Sequence, residues 1–222
     1  MKQLKDILFG VPLQTVLGST AIQISGIAFD SRSITQQSLF VAVKGIHQDG
    51  HTYINNAVDN GAVAVLCEHI PDILIDKVVY MSCENTRQAL ATVASQWYNT
   101  PSKALKLIGI TGTNGKTSVA TMAYQLFDKM GFATGLLSTV EIRIIKKIVL
   151  STHTTPDSLT INKNLRDMVD AGVTHCFMEV SSHGIDQDRI VDLYFSGGVF
   201  TNLTHDHFCL LYTSPSPRDP IG

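Results

Sequence analysis

Residues 105–118 read Leu-Lys-Leu-Ile-Gly-Ile-Thr-Gly-Thr-Asn-Gly-Lys-Thr-Ser, an apolar strand pattern running into a glycine-rich turn that ends in Lys-Thr. Such a turn can cradle a polyphosphate. Glycines let the backbone bend until its N–H groups converge on phosphate oxygens. The following helix adds the positive end of its dipole and Lys116 adds a full charge. Gly112, Thr113, Asn114, Gly115, Lys116, Thr117 and Ser118 are the expected nucleotide-binding residues, with the Thr117 hydroxyl placed for the accompanying Mg²⁺. The strict pattern G-x-x-x-x-G-K-[ST] has glycine where this chain has Ile110, so the motif is a variant P-loop whose core is Gly-Thr-Asn-Gly-Lys-Thr. The competing reading is an ordinary strand-to-helix turn with a solvated lysine.

Further chemistry lies C-terminal to it. In Met178-Glu-Val-Ser-Ser-His-Gly-Ile-Asp-Gln-Asp-Arg189, Glu179 ends an apolar strand and offers a hard oxygen to Mg²⁺. Ser181, Gln187 and Arg189 are donors suited to pyrophosphate or sugar oxygens, although a capped turn with a surface ion pair is the plainer alternative. Thr201-Asn-Leu-Thr-His-Asp-His207 follows another strand. There His207 could complete a metal site with Glu179, with His205 and Asp206 as alternatives and a structural histidine as the plainer reading. Thr154 and Thr155, ahead of Pro156, give hydroxyls at a helix start. Asp30-Ser-Arg32 and Gly45 with Asp49-Gly-His51 are polar loops that taken alone mean only turns.

The elements that must position these groups alternate. Ile22–Phe29 and Ser38–Val43 read as strands, 53–61 as a helix closed by Gly61, then Ala62–Leu66 and Val78–Met81 as strands. Asn85–Tyr98 carries apolar residues at helical spacing, and Asn99-Thr-Pro-Ser102 breaks it as a linker. Beyond lie the Leu105 strand, a helix over 117–130, a strand at 133–139 and a hairpin over 142–150. A helix then starts at Thr155-Pro-Asp with Pro156 in its first turn, followed by strands at 175–180 and 196–202. The expected fold class is α/β, with a small N-terminal α/β unit (1–100) before a P-loop unit with a mostly parallel sheet (101–207). Residues 208–222, with three prolines between 215 and 220, are expected to be a disordered tail.

The 222 residues carry a net charge of −2, which leaves no basic footprint for nucleic acid. Cys67, Cys83, Cys176 and Cys209 lack C-x-x-C spacing and read as thiols of a reducing compartment. With neither a secretory leader nor a spanning segment evident, the expectation is a cytoplasmic protein with no membrane insertion, and a monomer.

Taken together the motifs resemble the Mur ligase family, and within it the UDP-N-acetylmuramoyl-tripeptide synthetases of peptidoglycan synthesis. The resemblance covers residues 1–207 and rests on Asp30-Ser-Arg32, Ser38-Leu-Phe-Val-Ala42, Asp49-Gly-His51, Ile110–Thr117, Thr154-Thr-Pro156, Glu179–Gly184, Asp186–Arg189, Thr201–Thr204 and Asp206-His207 in that order. It implies an ADP-forming amide ligase using ATP and Mg²⁺ on UDP-MurNAc-L-Ala-D-Glu and a diamino acid, diaminopimelate being favoured over lysine. Lys116, Glu179 and His207 would then be catalytic, with Thr117 at one Mg²⁺ and Glu179 and His207 at a second. Ser31, Thr154, Thr155, Ser181, Gln187 and Arg189 would hold the UDP-muramoyl substrate. His153 replaces an expected asparagine, and the pattern stops at His207, so the expectation is an N-terminal fragment with a foreign tail. An inactive nucleotide-binding fragment is the second reading. A folylpolyglutamate or cyanophycin synthetase is the third, and the Asp-Ser-Arg and Asp-Gly-His loops argue against it.

Overall fold

The structure, a computed structural model, describes residues 1–45, 48–150 and 154–204. The expectations for His153, His205, Asp206, His207, Cys209 and the 208–222 tail lie outside them. The chain is mixed α/β, built on two mainly parallel sheets. The N-terminal part contains β1 (Lys2–Gln3), α1 (Leu4–Ile7), β2 (Leu13–Leu17), β3 (Gln23–Ile24), β4 (Gly26–Ala28), β5 (Ser38–Val41), α2 (Ile54–Asp59), β6 (Ala62–Cys67), β7 (Val79–Cys83) and α3 (Thr86–Trp97). Its five-stranded sheet runs β2-β7-β6-β5-β4, with β2 antiparallel to an otherwise parallel set, while β1 and β3 form a separate pair. The second part contains β8 (Lys106–Thr111), α4 (Lys116–Lys129), β9 (Thr134–Leu137), β10 (Glu141–Ile144), β11 (Lys147–Leu150), α5 (Ser158–Asp170), β12 (His175–Glu179), α6 (Ser182–Asp186) and β13 (Phe195–Phe200). Its six strands run β11-β10-β9-β12-β8-β13; β9, β12, β8 and β13 are parallel, and β10 is antiparallel to both β9 and β11.

The central strands of both sheets are buried on two faces, which is why they read as apolar runs, while the edge strands β2 and β13 are exposed. In the first, Leu39, Val41, Leu66 and Met81 face α1 and α3, while Phe40, Val65, Cys67 and Tyr80 face α2. In the second, Leu107, Leu137, Cys176 and Met178 meet Ile161, Leu165 and Met168 of α5. Leu136 and Phe177 point the other way, onto Ala120 and Tyr124 of α4. Each such large side chain removed from water contributes about 1.5–3 kcal/mol. Among the described residues no helix is long and apolar enough to cross a membrane.

Three local expectations change. The strand expected over Ile22–Phe29 is split: β3 pairs with β1 and β4 with β5, and Ser25 at the break bonds Gln37 O through its N–H and Gln36 O through its hydroxyl. Pro156 precedes α5 and does not enter its first turn, because Asp157 is the N-cap and accepts Thr160 N–H at 2.9 Å. The Asn99–Ser102 break is a packed connection. Asn99 and Thr100 turn the chain with φ of 58° and 45°, and Ser102 Oγ, 1% exposed, accepts Tyr194 N–H at 3.1 Å.

Cys67, Cys83 and Cys176 are free and buried. Burial pushes the Cys67 thiol up to about 12 and Cys83 up to about 11, and it raises Cys176 as well. Thiolate is the reactive form, so all three should resist Ellman's reagent at pH 8 in a Cys209→Ser variant and react together once urea unfolds the chain. Rapid labelling of any one in the native chain would contradict this packing.

Candidate active site

The phosphate loop leaves β8 at the carboxyl edge of the second sheet, between β12 and β13. Gly112 has φ 132°, and a Cβ there would strike Thr201 Oγ1 and lie 2.8 Å from Asn202 O, so only glycine fits without displacement. Gly115 at φ 86° caps α4 without a side-chain hydrogen bond. The N–H groups of Lys116, Thr117 and Ser118 therefore have no acceptor among the described residues, and they open a helix of 14 residues toward the loop. Lys116 Nζ folds back onto Gly112 O and Thr113 O at 2.7 and 2.9 Å.

Asn202, just past β13, braces the loop. Its carbonyl accepts Thr113 N–H at 2.9 Å, its Oδ1 accepts Asn114 N–H at 3.0 Å, and its Nδ2 donates to Asn114 O at 3.1 Å. Thr201 Oγ1 donates to the same carbonyl at 2.7 Å. The Thr201–Thr204 stretch, grouped by sequence with the metal-ligand candidates, thus acts on the loop's shape.

Glu179 ends β12 beside Ile110 and is 0% exposed. Its carboxylate receives Thr117 Oγ1–H at 2.9 Å, Thr139 N–H at 2.8 Å and Thr139 Oγ1–H at 3.2 Å. Among the described residues no lysine or arginine pairs with it. A buried carboxyl group met only by neutral donors is an incomplete arrangement that a hard cation would complete. Thr155, expected to touch substrate, is 1% exposed and fully occupied: its hydroxyl donates to Glu179 O at 3.1 Å and accepts Ser181 N–H at 2.9 Å. Ser181 Oγ caps α6 by accepting Gly184 N–H at 3.1 Å. These two hydroxyls shape the turn after β12. Thr154 is half-buried beside them.

A cleft of about 580 Å³ opens where the two parts of the chain meet. Ser31, Gln187 and Arg189, three of the residues expected to hold substrate, line it. Arg189 is fixed by Thr155 O and by Gln187 Oε1, which lies 2.6 Å from its Nη2. Phe29, Tyr53, Arg87 and Asp157 also line it and escaped the sequence reading. They stand in ordinary strand ends, turns and caps, and only the meeting of the two sheets makes them neighbours. Asp30 pairs with Arg32, whose hydrogen bonds hold its carboxyl down to about 2. On the cleft's rim the Asp49–His51 pair latches a loop. His51 Nδ1 lies 2.6 Å from Asp49 Oδ1, and its Nε2 accepts Glu68 N–H at 2.8 Å.

Comparison with known proteins fits this geometry. Residues 23–98 match the model of the Mur ligase family, catalytic domain, and residues 110–211 that of the Mur ligase middle domain. The UDP-N-acetylmuramoyl-L-alanyl-D-glutamate--2,6-diaminopimelate ligase of Cytophaga hutchinsonii is 50% identical over 206 residues, 92% of this chain and 42% of that protein. The ligase of the same description from Phocaeicola vulgatus is 46% identical over 205 residues, again 92% and 42%. A solved structure so described superposes with a TM-score of 0.77 at 25% identity, covering 96% of this chain and 42% of the other. The ADP-bound MurF ligase of Thermotoga maritima, at 19% identity and a TM-score of 0.53 over 79% of this chain and 37% of its own, shares the fold. The chain thus spans 42% of the length of these curated relatives.

Proposed function

This chain belongs to the Mur ligase family, and on that premise we propose that it is the nucleotide- and UDP-muramoyl-binding portion of an ADP-forming amide ligase in peptidoglycan synthesis. The observation that carries the proposal is the phosphate loop with its unpaired helix N–H groups, joined through the Thr117–Glu179 hydrogen bond to a buried carboxylate. We assign residues 1–100 to the UDP-muramoyl substrate and 101–207 to ATP, in a cytoplasmic monomer.

The chemistry follows from positioning and charge neutralisation. The terminal carboxylate oxygen of UDP-MurNAc-L-Ala-D-Glu attacks the γ-phosphorus of ATP, the bond to the β-phosphate oxygen breaks, and ADP leaves. The amine of the diamino acid, diaminopimelate in the names of the relatives, then attacks the acyl carbon. Inorganic phosphate departs and the amine gives up its proton. Lys116 and the N–H groups of 116–118 would hold the phosphates, with Gly112–Gly115 setting the loop's shape. Ser31, Gln187 and Arg189 would hold the UDP-muramoyl substrate along the cleft, while Thr155 and Ser181 orient that wall and Thr154 adds a hydroxyl beside it. Thr117 would hold one Mg²⁺, and Glu179 with His207 would hold a second. A single carboxylate, a hydroxyl and phosphate oxygens is the donor set this ion favours, and when bound it neutralises charge on the phosphates.

Calorimetric titration of the chain with a non-hydrolysable ATP analogue, with and without Mg²⁺, and separately with UDP-MurNAc-L-Ala-D-Glu tests this. Binding of both, with the nucleotide dependent on Mg²⁺, is expected. Failure of both to bind overturns the assignment, and binding of ATP with no UDP-muramoyl affinity would favour the folylpolyglutamate or cyanophycin class.

A further inference from the structure

The cleft's walls come from two sheets, and the first turn of α3 touches both. Asn85 is the N-cap of this helix: its Oδ1 accepts Arg87 N–H at 2.9 Å and Gln88 N–H at 3.2 Å. Its other side-chain atom, Nδ2, donates to Asp188 Oδ2 at 3.1 Å, across 103 residues of sequence. Gln88 Nε2 donates to Asp188 Oδ1 at 3.2 Å. Arg87 closes the turn's grip on the opposite wall, giving Nε and Nη2 to Lys44 O at 3.1 and 2.7 Å. Asp188 stands between two cleft residues, Gln187 and Arg189, and turns the chain there with φ 56°. Asp and Asn are the side chains that tolerate that region best after glycine.

We infer that Asn85 and Asp188 form a positioning pair that fixes Gln187 and Arg189 against the wall built by the N-terminal sheet, setting the width of the cleft for a ligand that spans both. The inference rests on the reading of this cleft as the UDP-muramoyl site. The residue type at 85 follows from the double duty. Ser, Thr or Asp would cap α3 as well, but each lacks the second, donating atom, and Asp would set a like charge against Asp188. Neither residue reaches the nucleotide loop, so the pair acts on one substrate only.

The swap Asn85→Asp with Asp188→Asn reverses donor and acceptor while keeping the cap, the total charge and a side chain suited to φ 56°. Asn85→Asp alone keeps the cap and breaks the pair. With the whole chain, Asn85→Asp is expected to weaken UDP-MurNAc-L-Ala-D-Glu binding about tenfold, the value of one charge-assisted hydrogen bond. Affinity for the ATP analogue stays within about twofold, because the sites share no partner. The double variant is expected to regain the lost affinity. Unchanged binding in Asn85→Asp, equal losses for both ligands, or no recovery in the swap each overturn the inference. A wild-type chain that fails to bind the UDP-muramoyl ligand overturns the reading beneath it instead.

Discussion

Replacing Lys116 with methionine is expected to lower affinity for the ATP analogue about 100-fold, since hydrogen bonds from an ammonium to phosphate contribute roughly 1.5–3 kcal/mol each. Methionine keeps the length of the stem and the preference for helix, so the loss isolates the charge. The side chain's existing partners are two carbonyls of its own loop, Gly112 O and Thr113 O. Freeing them exposes acceptors at a solvated edge, and far-ultraviolet circular dichroism should be unchanged. Fluorescence titration with a labelled ATP analogue reads the effect. Affinity within threefold of wild type would mean that the helix N–H groups, and not the ammonium, anchor the phosphates.

Gly112→Ala should destabilise the chain by about 3 kcal/mol, the combined effect of a side chain at positive φ and an overpacked contact. The added Cβ has no room: Thr201 Oγ1 and Asn202 O occupy its place. Relief requires moving Asn202 away, which sacrifices its bonds to Thr113 and Asn114 and with them the shape of the phosphate loop. Nucleotide affinity should fall with stability. Gly115→Ala is the control, because φ 86° is also left-handed there but nothing lies within 4 Å of the added carbon. Its penalty should be about 1–2 kcal/mol, that of the backbone alone. Urea midpoints at constant slope measure both, and equal penalties would show that the Asn202 brace does not confine Gly112.

The legibility of this chain divides along physical lines. The loop between β8 and α4 was readable because it is written in consecutive residues: glycines for the turn, then Lys116 and Thr117 opening the helix. The central strands of both sheets were readable as apolar runs, since burial on two faces leaves no polar alternation, whereas the exposed edge strand β2 carries no such run and went unread. The split of Ile22–Phe29 was not, because the break at Ser25 depends on carbonyls of Gln36 and Gln37 that only the folded sheet supplies. Thr155 and Ser181 were readable as polar groups near a site. Their placement inside the turn and not at its surface follows from packing against Glu179 O and Gly184 N–H.

By itself the sequence determined the α/β class, most of the elements in their order and the glycine-rich turn between β8 and α4, because backbone conformation and hydrophobic period are set by near neighbours. Only the tertiary structure decided that Glu179 is buried against Thr117 and Thr139, that Asn202 shapes the loop, that Arg87 lines the cleft and that Asp188 meets Asn85. Those relations join residues 40 to 103 positions apart. They are fixed by which strand ends the sheet order brings together, a property of the whole packed chain that no local stretch contains.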